Sequence, residues 1–269
     1  GIGTLVFSPD SKRVAYSAKV GDKMLVVVDA KEEKQYDGIA GLIFSPDSKR
    51  VAYAVKAGDK WLVVVDGNEE KQYDGFGTAP IFSSDSKRVA YVARVGDRWF
   101  LVVDGKEEKQ YDAIGTLIFS PDSKRVAYAA QVGNKRFVVV DGNEEKQYDG
   151  IGTAPIFSPD SKRLAYAAQV GNKQFKQFVV VDGKEDKQYV AIVTAPIFSP
   201  DSKRVVYVAV LGYKLFVVVD GKEVKYDAFI LVEEERSIVF DSPNNLHYLA
   251  KEGNKIYLVE MAIKSGSSK

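Results

Sequence analysis

The 269-residue sequence contains no cysteine and a single histidine, His247. Without cysteine the chain forms no disulfide, thiolate metal site or cysteine nucleophile, and one histidine excludes a multi-histidine metal site built by this chain alone. Lys and Arg number 38 against 37 Asp and Glu, so the basic surplus that nucleic-acid binding requires is missing. No apolar run approaches the roughly 20 residues of a membrane span. We therefore expect no metal, no cofactor, no nucleic-acid partner and no membrane span.

Helical periodicity is also missing, and the sequence instead shows an internal repeat. The hexapeptide Ser-Pro-Asp-Ser-Lys-Arg, once with Ser for Pro, occurs at 8–13, 45–50, 83–88, 120–125, 158–163 and 199–204. A Phe precedes each copy and Phe240 marks a weaker seventh, with steps of 37, 38, 37, 38, 41 and 42 residues. Seven repeats therefore fill the chain. The irregular sixth and seventh favour a natural array over an engineered one.

Each repeat has the pattern of four short strands, as repeat 4 illustrates. Its expected strands cover 116–120, 125–132, 136–141 and 145–149. Pro121-Asp122, Gly133-Asn134 and Gly142-Asn143 supply the turns between them. The third run is apolar on both faces and should be buried on both, whereas the fourth is short and charged, as suits an exposed edge.

Four antiparallel strands repeated seven times predict an all-β fold, a β-propeller with seven blades. The blades should begin near residues 4, 41, 78, 116, 153, 194 and 237, within one propeller over 1–261 that precedes a polar tail at 262–269. Tyrosines recurring in the second and fourth strands should pack between neighbouring blades. The last repeat lacks a recognisable fourth strand, so we expect a three-stranded blade, or one completed by the tail or by a strand preceding Gly1 in a longer chain.

The core Ser-Pro-Asp-x-Lys-Arg-[Val/Leu]-x-Tyr resembles the WD40-like repeat called PD40, which is found in TolB-type propellers. The resemblance covers the whole chain and implies a propeller, with an extracytoplasmic location as in many relatives. It implies no activity, because such propellers include binding scaffolds and gating domains attached to enzymes. One departure is serine where the family usually has glycine after the Asp, at Ser11, Ser48, Ser86, Ser123, Ser161 and Ser202.

The candidates for catalysis and metal binding have simpler structural interpretations. The turn aspartates occur one per repeat, flanked by Lys and Arg, which indicates turn stabilisation and not a calcium loop. His247 is the only possible histidine base, and no Gly-x-Ser-x-Gly nucleophile motif accompanies it. It stands where other repeats have alanine, so we expect a packing role on a blade face. We predict no catalytic and no metal-binding residue.

The repeats lose their regularity in one region, where a function needing a single site would be placed. Repeat 5 carries an insertion within 173–178, repeat 6 has Tyr213 in the equivalent hairpin, and the link at 228–236 is altered. In antiparallel blades these segments emerge at the same end. They define a predicted contact patch formed by Phe175, Lys176, Tyr213, Phe229, Glu233, Glu234 and Glu235. Drift of the terminal repeats would produce the same irregularities.

Two function classes remain open. The first is a non-catalytic, monomeric scaffold or binding module that presents loops of one face to an unidentified protein or small ligand. The alternative is a hydrolase, or the gating propeller of one, with its site at the channel mouth. The sequence favours the first, because an active site needs a cluster of unrepeated acids and bases, and the unrepeated acidic run Glu233–Glu235 has no evident partner.

Overall fold

The computed structural model describes residues 1–171, 176–212, 214–225, 229–230, 238–252 and 254–263. In this part of the chain all regular secondary structure is β, and 31 strands form seven antiparallel sheets. None of the described residues belongs to a helix long and apolar enough to cross a membrane. The chain divides into two compact units, one consisting of Gly1–Ile114 with two short segments of the fourth sheet, the other of the remainder.

The first compact unit contains sheets 1 to 3, numbered in chain order. Sheet 1 consists of β1 (Ile2–Phe7), β2 (Val14–Val20), β3 (Lys23–Val28) and β4 (Lys31–Tyr36). Sheet 2 consists of β5 (Gly38–Phe44), β6 (Val51–Ala57), β7 (Lys60–Val65) and β8 (Asn68–Glu69). Sheet 3 consists of β9 (Gly75–Phe76), β10 (Ile81–Phe82), β11 (Val89–Val95), β12 (Arg98–Val103) and β13 (Lys106–Glu107).

Sheets 5 to 7 lie in the second compact unit, and sheet 4 contributes residues to both units. Sheet 4 consists of β14 (Ala113–Phe119), β15 (Val126–Val132), β16 (Lys135–Val140) and β17 (Asn143–Glu144). Sheet 5 consists of β18 (Gly150–Ile151), β19 (Ile156–Phe157), β20 (Leu164–Val170), β21 (Lys176–Val181) and β22 (Lys184–Glu185). Sheet 6 consists of β23 (Ala191–Ile192), β24 (Ile197–Phe198), β25 (Val205–Leu211), β26 (Lys214–Val219) and β27 (Lys222–Lys225). Sheet 7 consists of β28 (Phe229–Ile230), β29 (Ile238–Ser242), β30 (Asn245–Glu252) and β31 (Lys255–Ala262).

The first strand of each sheet begins earlier than the sequence predicted, because the Gly-rich links pair with the second strand. In sheets 1, 2 and 4 this strand is continuous over six or seven residues. In sheets 3, 5 and 6 it is split into two short strands on either side of Pro80, Pro155 and Pro196. Proline has no N–H to donate to the ladder, so the Thr-Ala-Pro sequence interrupts the strand.

The predicted turn and fourth strand of repeat 4 need correction. The turn is Asp141-Gly142, with φ of 51° and 78°, and Asn143 already belongs to β17. Two consecutive positive φ values are the mark of a type I′ hairpin, which matches the strand twist. The predicted continuous strand at 145–149 is instead the two-residue β17 followed by one isolated bridge between Tyr148 and Arg136.

Apolar side chains pack between neighbouring sheets within each compact unit. One core joins sheets 2 and 3, where Tyr91 and Phe100 are each 1% exposed. Tyr73 packs edge-on against both rings, with centroid separations of 6.2 Å from Tyr91 and 5.5 Å from Phe100. Equivalent cores join sheets 1 and 2, 4 and 5, 5 and 6, and 6 and 7. The predicted packing role of the tyrosines is confirmed.

One set of contacts recurs around the repeat arginine and joins its sheet to the next. We term it the arginine latch. Arg50 Nε donates to Asp66 Oδ2 in its own sheet at 2.8 Å. Its Nη1 donates to the carbonyl oxygens of Ser86 and Lys87 in sheet 3, at 3.1 and 2.8 Å. Its guanidinium carbon also lies 5.2 Å from the ring centroid of Phe82. The ion pair and both carbonyl bonds recur at Arg13, Arg88, Arg125 and Arg163.

The serine that follows the turn aspartate takes part in the same junction. Ser86 has φ of 63°, a left-handed conformation that favours glycine, and is 2% exposed. Its hydroxyl accepts a hydrogen bond from the backbone N–H of Asp47 in the preceding sheet, at 2.9 Å. Ser48, Ser123 and Ser202 accept the equivalent bond. The hydroxyl therefore compensates for a backbone strain of about 1 kcal/mol.

Replacing Ser86 is expected to separate these two effects. Ser86→Ala keeps the strain and leaves the Asp47 N–H without its acceptor, so the free energy of unfolding should fall by about 1–2 kcal/mol. Ser86→Gly loses the same bond but relieves the strain, so its loss should be about 1 kcal/mol smaller. Urea unfolding of both variants measures the difference. A glycine variant less stable than the alanine variant would contradict this assignment.

Seven antiparallel sheets, each built on the repeated strand order, define the fold class: an all-β propeller with seven blades, as the sequence predicted. In sheet 7 the split first strand, β28 and β29, pairs with β30, and β31 lies on its other side. The described residues of this sheet include no strand in the fourth position. Residues 264–269 of the predicted tail lie outside the described part.

Candidate functional site

Most of the predicted contact patch lies outside the described residues. This applies to Phe175, Tyr213, Glu233, Glu234 and Glu235. Phe229 belongs to β28, where its backbone pairs with Lys251, and Lys176 is the exposed first residue of β21. The patch therefore stays a prediction.

His247 is not the buried packing residue that the sequence suggested. Its side chain is 33% exposed, and Nδ1 lies 2.8 and 2.9 Å from the two carboxylate oxygens of Asp241. The nearby Ser242 hydroxyl accepts a hydrogen bond from the backbone N–H of Asn245 at 3.1 Å. The histidine at this position thus forms a polar pair at the sheet surface, where the corresponding Ala127 of sheet 4 is fully buried.

The turn aspartates stabilise their own turns, as predicted. Asp47 accepts hydrogen bonds from the Ser45 hydroxyl at 2.6 Å and the Lys49 backbone N–H at 3.1 Å. These two bonds hold the pKa of Asp47 below its ordinary value of 3.8. The same causes lower the pKa of Asp10, Asp85 and Asp160. Such carboxylates stay ionised at neutral pH, and among the described residues no cluster of acidic or His side chains is arranged to hold a metal ion.

A cleft between sheets 1 and 2 is the candidate site. It is a cavity of about 480 Å³ between the turns that join first to second and third to fourth strands. Val28, Val51 and Tyr53 form its apolar wall. Its charged lining consists of Arg13, Asp29, Lys31, Glu33, Lys49, Arg50 and Asp66. We term it the Tyr53 cleft.

Tyr53 is the distinctive residue of this cleft. Its side chain is 1% exposed, and its hydroxyl is buried without a hydrogen-bond partner in the described structure. Burial, with the nearby charges of Glu33 and Glu69, raises the pKa of the Tyr53 hydroxyl, so it stays protonated. A buried hydroxyl without a partner costs about 1–3 kcal/mol.

The second-strand tyrosines of sheets 3, 5 and 6 are each paired with an acidic side chain. Tyr91 donates to Glu70 at 2.7 Å and Tyr166 donates to Glu145 at 2.6 Å. A second cavity of about 400 Å³, between sheets 5 and 6, is lined by Tyr207, which donates to Asp186 at 2.7 Å. Of the tyrosines that line the two cavities, Tyr53 alone is unpaired.

The hairpin between β3 and β4 contains the acidic residue that would be expected to pair with Tyr53. Glu33 occupies the position of Glu70, but its carboxylate lies 3.5 Å from the ammonium group of Lys31 and does not bond Tyr53. The preceding turn also departs from the repeat, because Ala30 adopts φ of 66° where the corresponding residue of sheet 2 is Gly67. Alanine in this conformation is strained by about 1–2 kcal/mol.

Sequence reasoning missed this site although a signal was present. Five repeats read Asp-Gly in the turn between third and fourth strands, and the first reads Asp29-Ala30. This single Gly-to-Ala exchange is a weaker departure from the repeat than the insertion and the altered link near the C-terminus. The missing hydrogen bond of Tyr53 depends on a side-chain orientation, which no residue pattern reveals.

These sheets define a propeller with a cleft between two blades, and comparison with solved structures finds β-propeller proteins. TolB from Acinetobacter baumannii is 18% identical, with 79% of this chain and 62% of that chain covered and a TM-score of 0.38. The β-propeller domain of the Trilobed protease from Pyrococcus furiosus, described as having an open velcro topology, is 13% identical, with 98% and 95% covered and a TM-score of 0.45. An acylaminoacyl peptidase is 13% identical, with 98% and 52% covered and a TM-score of 0.41. This chain thus spans less than two thirds of the TolB chain.

No known family model matches the sequence, and no curated protein does. The solved structures include TolB, whose type of propeller the repeat resembles. At such low identity and TM-score these likenesses carry no functional argument, and the fold class rests on the seven sheets themselves.

Proposed function

We propose that this chain is a non-catalytic binding module in which latched sheets hold a small-ligand site, the Tyr53 cleft, in a fixed geometry. The observation that carries the proposal is the cleft itself, a cavity of about 480 Å³ with Val28, Val51 and the Tyr53 side chain as its apolar wall and charged side chains around it. Cavities of about 300–1,000 Å³ with apolar walls and a few polar groups are typical of small-molecule sites.

The pKa shifts of the buried tyrosines and turn aspartates, and the hydrogen bonds of the buried serines, support binding over catalysis. Burial and Glu70 raise the pKa of Tyr91, while hydrogen bonds lower that of Asp47. Acid–base catalysis works best with groups whose pKa lies near neutral pH, and these shifts go the other way. The hydroxyls of Ser45 and Ser86 are buried and already bonded within the turns and between sheets. The contact patch predicted from the sequence shares no residue with this cleft and would be a separate surface.

A matched pair of substitutions tests whether Tyr53 is unpaired. Tyr53→Phe removes a hydroxyl that bonds nothing, so the free energy of unfolding should change by less than about 0.5 kcal/mol or rise. Tyr91→Phe deprives Glu70 of its donor and should lower it by about 1–2 kcal/mol. Both are measured by chemical unfolding of the ligand-free chain.

Two results would count against the proposal. Equal losses for Tyr53→Phe and Tyr91→Phe would mean that Tyr53 is bonded within the protein and the cleft is an ordinary inter-sheet gap. Covalent labelling of the intact chain by a fluorophosphonate probe at a serine would identify an activated nucleophile and replace binding with hydrolysis.

A further inference from the structure

An aspartate bridges neighbouring sheets beside the hairpin that joins second and third strands. Between sheets 4 and 5, Asp149 Oδ1 accepts a hydrogen bond from the Lys135 ammonium group at 2.6 Å. Its Oδ2 accepts one from the backbone N–H of Gly171 at 2.8 Å. These two donors hold the pKa of Asp149 below its ordinary value of 3.8. The same carboxylate bridge, with an arginine as cation in the last case, is formed by Asp37, Asp74 and Asp112.

Between sheets 5 and 6 the bridging position is occupied by Val190. Its backbone N–H donates to the carbonyl oxygen of Val210 at 2.8 Å, as the N–H of Asp149 donates to that of Gln169 at 3.0 Å. The backbone register is therefore the same at both junctions, and the side chain differs. Valine ends one bond short of a carboxylate oxygen and accepts no hydrogen bond, so Val190 cannot form the bridge.

Both donors of the bridge are nevertheless present at this junction. Lys176 is the exposed first residue of β21, as Lys135 is of β16. Gly212 follows β25 directly, as Gly171 follows β20. Within the described part of the chain, Lys176 forms no ion pair and the Gly212 N–H has no acceptor. An ammonium group and an N–H that hold one carboxylate at four other junctions are thus both available here.

The surface beside these two donors is apolar. Ala191 pairs with Val210 in the ladder, so the register places Val190 opposite Leu211 on the same face of sheet 6. The two residues are 55% and 38% exposed. A ligand held by its carboxylate would also cover these side chains. This favours a carboxylate carried by an apolar segment over a small free acid. We term Lys176, Val190, Leu211 and Gly212 the Val190 site.

We infer that the Val190 site binds an acidic side chain of a partner protein, an Asp or Glu set among apolar residues. The partner's carboxylate would lie between the Lys176 ammonium group and the Gly212 N–H, and would replace the aspartate that this junction lacks. Hydrogen bonds to an ionised acceptor are stronger than neutral ones, so both donors favour a carboxylate over an amide. The site shares no residue with the Tyr53 cleft and the inference does not depend on it.

The test is an NMR titration of the isotope-labelled full chain with the peptide acetyl-Gly-Leu-Asp-Leu-Gly-amide, its Asn counterpart and acetate. The Asp peptide should shift the Gly212 amide proton downfield, with a Kd of about 1–10 mM. The Asn peptide and acetate should bind about tenfold more weakly, since one lacks the charge and the other the apolar side chains. The amide of Gly171, which already bonds Asp149, is the internal reference and should not move.

Two solution conditions check the charge of the ligand. Added salt should weaken the binding of the Asp peptide, because it screens the exposed Lys176 ammonium group. Lowering the pH through about 4 protonates the peptide carboxylate, so the shift of the Gly212 amide should disappear below that pH.

A matched pair of lysine variants locates the binding. Lys176→Gln should weaken the Asp peptide about threefold to fivefold, as expected for an exposed ion pair. Lys135→Gln, at the junction where Asp149 already forms the bridge, should leave the Kd unchanged. Equal weakening by the two variants would mean diffuse surface attraction and would overturn the inference.

A third variant supplies the carboxylate within the chain. Val190→Asp should move the Gly212 amide proton downfield without any peptide, abolish binding of the Asp peptide and raise the thermal midpoint. Val190→Asn, the uncharged control, should raise the midpoint less. If Val190→Asp still binds the peptide and leaves the Gly212 amide unmoved, the two donors do not form a carboxylate position.

The peptide series gives two further results that would overturn the inference. If the Asn peptide shifts the Gly212 amide as strongly as the Asp peptide, the site does not recognise a carboxylate. If acetate binds as tightly as the Asp peptide, the ligand is a small acid and not a partner protein. Neither result affects the comparison of Tyr53→Phe with Tyr91→Phe, so the proposed function is tested separately.

Discussion

Replacing Phe100 with alanine is expected to lower the free energy of unfolding by about 3–5 kcal/mol. The ring is 1% exposed in the core between sheets 2 and 3, and Tyr73 packs edge-on against it at 5.5 Å. The substitution removes the buried ring, leaves a cavity and also deletes the aromatic contact, which is itself worth about 0.5–1.5 kcal/mol. Thermal or urea unfolding gives the value directly.

The chain provides its own control for this prediction. Leu25 and Leu62 occupy the position of Phe100 in sheets 1 and 2, and both are buried. Phe100→Leu should therefore cost far less than Phe100→Ala, about 1–1.5 kcal/mol, because most of the volume is kept. Similar losses for leucine and alanine would show that volume is not what the core requires at this position.

Removing one latch by Arg50→Ala is expected to lower the free energy of unfolding by about 2–3 kcal/mol. The substitution leaves Asp66 without its cation and two carbonyl oxygens of sheet 3 without their donor. Arg50→Lys keeps the charge but not the planar fork that reaches all three acceptors, so it should recover less than half of the loss.

The matched control is another cation that bridges the same two sheets. Lys71 pairs with Glu107 at 2.6 Å, but its side chain is 65% exposed. Solvent screens such a pair, so Lys71→Ala should cost no more than about 0.5–1 kcal/mol. If Arg50→Ala and Lys71→Ala destabilise the chain equally, the latch is only a surface ion pair.

The fold could be predicted from the sequence because each repeat carries redundant signals. Apolar third strands, Pro-Asp turns and a Tyr in every second strand all indicate the same four-stranded sheet, and seven copies reinforce one another. The predicted starts of the first strands were less accurate than the predicted fold. The Gly-rich links before Phe44 and Phe119 lay outside the predicted first strands but pair as strands, because glycine weakens a strand without removing its backbone donor.

The contacts between repeats could not be predicted in the same way. The sequence shows Arg50, Asp66 and Ser86 at fixed intervals, but their partners are backbone groups of the next sheet, which carry no sequence signal. Ser86 is an example: it stands where the PD40 repeat that the sequence resembles usually has glycine, and its hydroxyl forms a bond between sheets. The candidate site could not be predicted either, because the residues around Tyr53 in its own strand are those around the tyrosines that are paired.

The arginine latch has a consequence for how such an array changes in evolution. Arg50 and Arg163 contact main-chain carbonyl oxygens of the following repeat. Every repeat has these carbonyl groups, so the same contacts can form with any repeat that follows. Unequal recombination that deletes or duplicates whole repeats would therefore create joints that are already compatible. Arg204 is different, because it bonds the side chain of Asn244 in the last sheet. The terminal repeat is thus specialised for its place, while the preceding ones remain interchangeable.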